Sequence, residues 1–180
     1  MNDNCDPCLI GHCVEYDKPI QGGRDGVKLF RPGCFSQAIQ RGNIAALHDH
    51  DWSQEIGETA DGTLAFDDGP YWLRFRVCLG DRNSDRLAVL MHDVINRRCN
   101  GASIGWVAVE SHRDRDGVLI VEKADLDEVS VLQHGRCKGA FTAFAKMDLS
   151  KPWPVPRKPT PKPEFKYQTP FPRYAIALGG

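Results

Sequence analysis

The segment YWLRFRVCL, Tyr71 to Leu79, alternates without a break. Tyr71, Leu73, Phe75, Val77 and Leu79 fall on one side, and Trp72, Arg74, Arg76 and Cys78 on the other. Successive side chains of an extended chain point to opposite faces, so this pattern predicts a strand with one buried face. The runs CLIGHCVEY, GTLAFDD, SIGWVAVES, GVLIVEKADL and DEVSVLQ read as further strands, separated by Gly, Asp and Pro signals. A chain made mostly of such strands must bury sheet faces against one another. The predicted fold is therefore mainly β: about seven strands, mostly antiparallel, forming a barrel with a few surrounding helices.

Two segments break the alternation. CFSQAIQRG is short and follows the turn Pro32-Gly33. SDRLAVLMHDVINRRCNG carries Leu87, Leu90, Met91, Val94 and Ile95 at helical spacing, an apolar stripe. Ser84 is placed to cap this second helix, Arg97 and Arg98 suit its C-terminal dipole, and Asn100-Gly101 reads as its stop.

Proline usage sets the domain boundary. Eight of the twelve prolines lie from Lys151 onward, in KPWPVPRKPTPKPEFKYQTPFPRYAIALGG. Proline fixes φ and removes a backbone donor, so this stretch is expected to be extended. Residues 1–148 are read as the folded unit and 149–180 as a proline-rich tail. The 180-residue chain is long enough for a core without disulfide staples. Its seven scattered cysteines fit a reducing compartment. The net charge of −1 points to neither nucleic acid nor a membrane surface as a partner. MNDNCDPC lacks the basic and apolar regions of a signal peptide.

Chemistry has few places to reside. Cys5, Cys8, His12 and Cys13 could supply metal ligands, as could His48 and His50. A structural zinc site needs well-spaced ligand pairs on turns, whereas His12 and Cys13 sit inside an alternating run and should point to opposite faces. The two histidines have no evident third ligand nearby, so neither site is expected to hold metal and no cofactor is implied. Among the serines, Ser103 follows the long helix at the start of a strand, in NGASIGWVAV. A serine hydroxyl becomes a useful nucleophile only when a base accepts its proton, and histidine is the usual base near neutral pH.

Five segments, in order, resemble a known family. They are GVKLFRPGCFSQAI, ALHDHDWSQEIGET, GPYWLRFRVCL, the helix ending in GASIGW, and DGVLIVEKADLDEVSVL. Together they look like the prohead (capsid maturation) serine proteases of tailed bacteriophages, and the resemblance covers Leu9 to Phe144. Carried over by position, the family's His-Asp pair falls on His50-Asp51 and its Ile-Gly on Ile56-Gly57. The Ser-Ile-Gly nucleophile falls on Ser103 and the Glu-Val-Ser acid on Glu128. The implied mechanism has Ser103 attacking a peptide carbonyl, His50 shuttling the proton and Glu128 orienting the ring. His48 is then a neighbour and Asp51 an acid that holds the loop. Asp125 and Asp127 lie close to Glu128, and period two alone only partly settles which acid points inward.

After the Glu-Val-Ser strand this chain departs from the phage pattern with LQHGRCKGAFTAF. That stretch is similar to the Gly-Arg-Arg-Arg-Gly segment of assemblin, the herpesvirus assembly protease, which shares the phage enzymes' fold. The match places an oxyanion turn at Gly135-Arg136, with Cys137 where the relative has a second arginine. His134 is the rival third member by its nearness in sequence. The resemblance implies a serine endopeptidase located in the host cytoplasm, inside the assembling procapsid. It would cleave scaffold or the delta region of the major capsid protein, and also itself, with homodimerisation a further possibility. The alternative is a catalytically silent scaffold- or capsid-binding module of the same fold.

Overall fold

The computed structural model describes residues 6–21, 26–78, 85–133 and 140–147. The expected boundary near residue 148, the proline-rich tail, Cys5, His134 and the Gly135-Arg136 turn lie outside the described residues. Strands β1 (Asp6–Glu15), β2 (Ile20–Gln21) and β3 (Val27–Phe30) are followed by helix α1 (Ser36–Arg41). Next come β4 (Ala45–His48), β5 (Asp51–Glu58), β6 (Leu64–Asp68) and β7 (Trp72–Cys78). Helix α2 (Asp85–Ile95) leads into β8 (Gly101–Arg113), β9 (Leu119–Leu132) and β10 (Phe141–Met147).

The protein is mainly β, as the alternation predicts, but the described strands form two sheets and not a closed barrel of seven. One sheet is four-stranded, in the order β10-β1-β7-β6, and antiparallel throughout. The other is six-stranded and mixed, in the order β2-β3-β9-β4-β5, with β8 also on β9. Among the described residues β6, β10 and β5 end their sheets without pairing to the other sheet, so no barrel closes. The expected count falls short of the ten described strands: β2 to β4 are too brief to display an alternating pattern, and β5 and β10 lie outside the runs read as strands.

β7 fulfils the sequence reading most fully. Leu73, Phe75 and Val77 are completely buried, while Trp72, Arg74, Arg76 and Cys78 are partly exposed. These residues pack with Leu9 and Val14 of β1 and with Phe30, Ala46 and Val121 of the other sheet in one core. Burying a side chain of this size contributes about 1.5–3 kcal/mol. At Gly57 the two sheets come together: a Cβ there would lie 2.8 Å from Val77 Cγ1 and 2.9 Å from Thr63 Oγ1. The Ile-Gly pair thus has a packing origin, a buried Ile56 beside a residue that must lack a side chain.

β9 organises the second sheet. GVLIVEKADL and DEVSVLQ, read as two strands, are one continuous strand, with exposed Asp127 facing solvent between them. β8 pairs antiparallel along nearly its whole length, from Gly101↔Leu132 to Arg113↔Leu119. β3 and β4 pair with β9 in parallel, the first at Leu119–Val121 and the second at Glu128–Val131. The turn before α1 fills the interval between them, with Arg31 N–H donating to Val121 O and Ala124 N–H donating to Cys34 O.

The described candidate zinc ligands, Cys8, His12 and Cys13, do not converge. Cys8 Sγ lies against Cys78 Sγ, and buried Cys13 faces Leu73 O at 3.5 Å. The His12 ring contacts the rings of Trp72 and Phe141. Among the described residues no group of three or more His, Cys, Asp or Glu side chains could hold a metal ion. Nor is any described helix long and apolar enough to cross a membrane.

α2 ends earlier than Asn100-Gly101. Arg98 N–H donates to Asp93 O and Arg97 N–H to Val94 O, with Arg97 at φ 57°. This is a Schellman stop with an arginine in the left-handed position that glycine usually takes. Leu90 and Val94 are buried as expected, but Ile95 is exposed at the rim of a cavity of about 490 Å³ shared with Phe141 and Phe144. A left-handed non-glycine residue costs about 1–2 kcal/mol, partly offset in glycine by unfolded-state entropy. Arg97→Gly is therefore expected to raise the thermal unfolding midpoint by roughly 2–4 °C, measured by calorimetry.

Candidate active site

β9 delivers the acid. Residues 128 and 130 project to the same face of the strand, two positions apart. Glu128 is buried to 4% exposure and Ser130 is fully buried. The neighbouring acids point elsewhere: Asp125 pairs with Arg41 at the surface and Asp127 is exposed. Of the three, Glu128 alone is turned inward.

β8 brings the serine alongside. Ser103 is the cross-strand partner of Ser130, and Gly105 that of Glu128. Directly opposed residues of an antiparallel pair share a face, with Cβ atoms about 4.5–5.5 Å apart. Ser103, Ser130 and Glu128 therefore stand on one face. Gly105 explains the glycine of Ser-Ile-Gly, because a Cβ there would meet Glu128 Oε1 at 2.6 Å. The carboxylate lies over the space that glycine leaves. Ser103 is 9% exposed, at the edge of this buried cluster.

β4 and β5 supply the histidine from a turn, not from a strand. His48 pairs with Asp51, so Asp49 and His50 form a two-residue hairpin loop. Their φ values are 54° and 61°. Positive φ at both central residues is the signature of a type I′ turn, which matches strand twist but ordinarily selects Asn-Gly. Asp49 and His50 hold this conformation against the steric preference of their Cβ atoms. Three contacts with β9 fix the turn: Asp49 N–H donates to Val131 O at 3.1 Å, His50 N–H donates to Ser130 Oγ at 3.1 Å, and His50 Nδ1 meets Glu128 Oε1 at 2.8 Å. Ser130 Oγ in turn donates to Glu128 Oε2. An ionised carboxylate only accepts, so Nδ1 carries the proton and Nε2 is left as the acceptor.

The structure thus brings Ser103, His50 and Glu128 around one buried residue, Ser130. No hydrogen bond joins His50 to Ser103 Oγ; the ring's hydrogen bond within the described residues is the one to Glu128. Serine–histidine contacts in unliganded enzymes are often long and tighten with substrate. His48 stands apart, facing Gln54 through Nδ1. Asp51 accepts from Ser53 and Gln54 and so holds the start of β5. Sequence reasoning gave Ser130 no role, although its position two residues after Glu128 places it on the same face.

Replacing Gly105 tests the arrangement directly. Gly105→Ala is expected to displace the Glu128 carboxylate, because neither the strand backbone nor a buried acid can yield cheaply. The expected outcome is loss of the downfield His50 Nδ1–H proton resonance, with destabilisation of about 1–3 kcal/mol in urea unfolding. Ser130→Ala removes the acceptor for His50 N–H and is expected to cost about 1–3 kcal/mol.

Comparison with known proteins adds one match. A model of the caudovirus prohead serine protease family matches residues 2–151. No curated protein and no solved structure gives a significant match. The matched stretch contains both sheets and all three residues gathered at Ser130, and the chain belongs to the caudovirus prohead serine protease family.

Proposed function

We propose that the chain is a serine endopeptidase of virus head assembly, with Ser103 as nucleophile, His50 as base and Glu128 as the orienting acid. The observation that carries this reading is the buried Glu128 hydrogen-bonded to His50 Nδ1 at 2.8 Å, with Ser103 on the adjoining strand. In the reaction, His50 Nε2 takes the Ser103 hydroxyl proton as Oγ bonds to the substrate carbonyl carbon. The imidazolium is stabilised by Glu128 and returns the proton to the departing amine as the C–N bond breaks. Water, deprotonated by the same nitrogen, then hydrolyses the acyl-serine ester. Donors for the oxyanion are assigned to the backbone around Gly135-Arg136, on the resemblance to assemblin. Such preorganised donors are commonly worth about 10²–10³ in rate.

The substrates that suit a prohead protease are scaffold and the delta region of the major capsid protein, and the chain itself. The reaction is placed inside the assembling procapsid, in the host cytoplasm. The family match supports a head-maturation role, and the extended tail expected after residue 148 offers an accessible site for self-cleavage. The rival reading is a silent module that binds capsid or scaffold protein without cutting it.

Co-expression with the capsid and scaffold proteins of the same virus separates the two. The parent chain is expected to yield lower-mass products by gel and mass spectrometry, and Ser103→Ala none. Glu128→Gln is expected to lower kcat about 10³–10⁴-fold, because the wrong tautomer of His50 is then favoured. Identical band patterns for parent and Ser103→Ala would sink the protease reading in favour of the binding module.

A further inference from the structure

Immediately after the hairpin that carries His50, β5 leaves regular pairing. Leu47 faces Glu55 and His48 faces Asp51, so Trp52, Ser53 and Gln54 have no counterparts on β4. Extra residues of this kind bend a strand and re-aim its side chains, and they gather at sheet edges and beside active sites. β5 is at the end of its sheet. Its irregular stretch is held by a defined network. Asp51 Oδ1 accepts from Ser53 N–H and Ser53 Oγ, each at 2.8 Å, and Asp51 Oδ2 accepts from Gln54 Nε2 at 2.9 Å. Gln54 Oε1 lies 3.2 Å from His48 Nδ1. His48, a candidate metal ligand in the sequence, and Asp51 both brace this bulge.

At its head stands Trp52, 62% exposed and two residues from His50. A single apolar residue in solvent is ordinary. This one is the largest side chain available, and the backbone that carries it is held by the hydrogen bonds of Asp51 to Ser53 and Gln54, just after the histidine of the site. We propose that Trp52 is a substrate-recognition residue, its indole forming one wall of the subsite for an apolar substrate side chain near the scissile bond. The inference rests on the protease reading. Indole offers a large, stiff apolar face, and a bulge already ordered loses little further entropy when substrate covers it.

The test is digestion of a proteome-derived peptide library by the full-length parent, Trp52→Ala, Trp52→Phe and Ser103→Ala, with new termini read by mass spectrometry. The parent is expected to favour apolar residues at one position near the cut bond. Trp52→Ala is expected to lose that preference alone, with kcat/KM for an apolar peptide falling about 10-fold or more, mainly through KM. Trp52→Phe should retain most of it, and both variants should unfold at the parental temperature. Unchanged preference and KM in Trp52→Ala would overturn the inference and leave the protease reading standing. A lowered unfolding temperature, with all bonds cut equally slowly, would show a structural role and overturn it as well. No termini from the parent beyond those of Ser103→Ala would overturn the protease reading and this inference with it.

Discussion

A carboxylate removed from water is costly, on the order of several kcal/mol even after relaxation. Glu128 sits at 4% exposure, so its surroundings have to compensate with well-aimed donors. Two are present: the His50 ring N–H and the Ser130 hydroxyl. Each of these is fixed in turn, Ser130 by pairing with Ser103 on one side and Leu47 on the other, and His50 by its own N–H on Ser130 Oγ and that of Asp49 on Val131 O. Gly105 completes the set by leaving a space where any side chain would collide with the acid. Removing one component strands the others, so the cluster behaves as a unit and not as a sum of pairs.

The parts of this arrangement that follow local pattern could be read in the sequence. The buried face of β7 was evident from alternation, and the choice of Glu128 over Asp127 was partly so. α2 was recognisable from its stripe, yet its end was not, because the Schellman stop uses Arg97 where glycine is the usual signal. The strands β2 to β5 were obscure for a different reason. They are short or irregular; β3 and β4 are placed by pairing with β9 some 80 to 90 residues later, which no local window contains, and β2 and β5 pair with β3 and β4 in turn. The nature of the His50 turn was hidden because Asp-His is a poor type I′ sequence. Its geometry is imposed by β9, not chosen by the turn residues.

That imposed turn illustrates how strain gathers where function is proposed. Asn-Gly would relax the hairpin at no steric cost but would delete the imidazole. The chain keeps the less comfortable residues and secures them with three contacts to its neighbour strand. Gly57 and Gly105 play the converse part. At both positions a side chain is absent because another group, Val77 in one case and Glu128 in the other, needs the volume.

The order of β9 in the chain has a consequence for timing. His50 is synthesised early and Ser103 midway, but the carboxylate that steadies the imidazole lies 78 residues beyond the histidine. Pairings of such long range form late, since loop-closure entropy has to be overcome before they reward the chain. A ribosome-bound fragment that stops short of Glu128 has Ser103 and the His50 imidazole but not the β9 residues that hold the His50 turn. The topology itself therefore delays assembly of the proposed site until nearly the whole domain has emerged, so an early fragment would lack the proposed activity without any inhibitor.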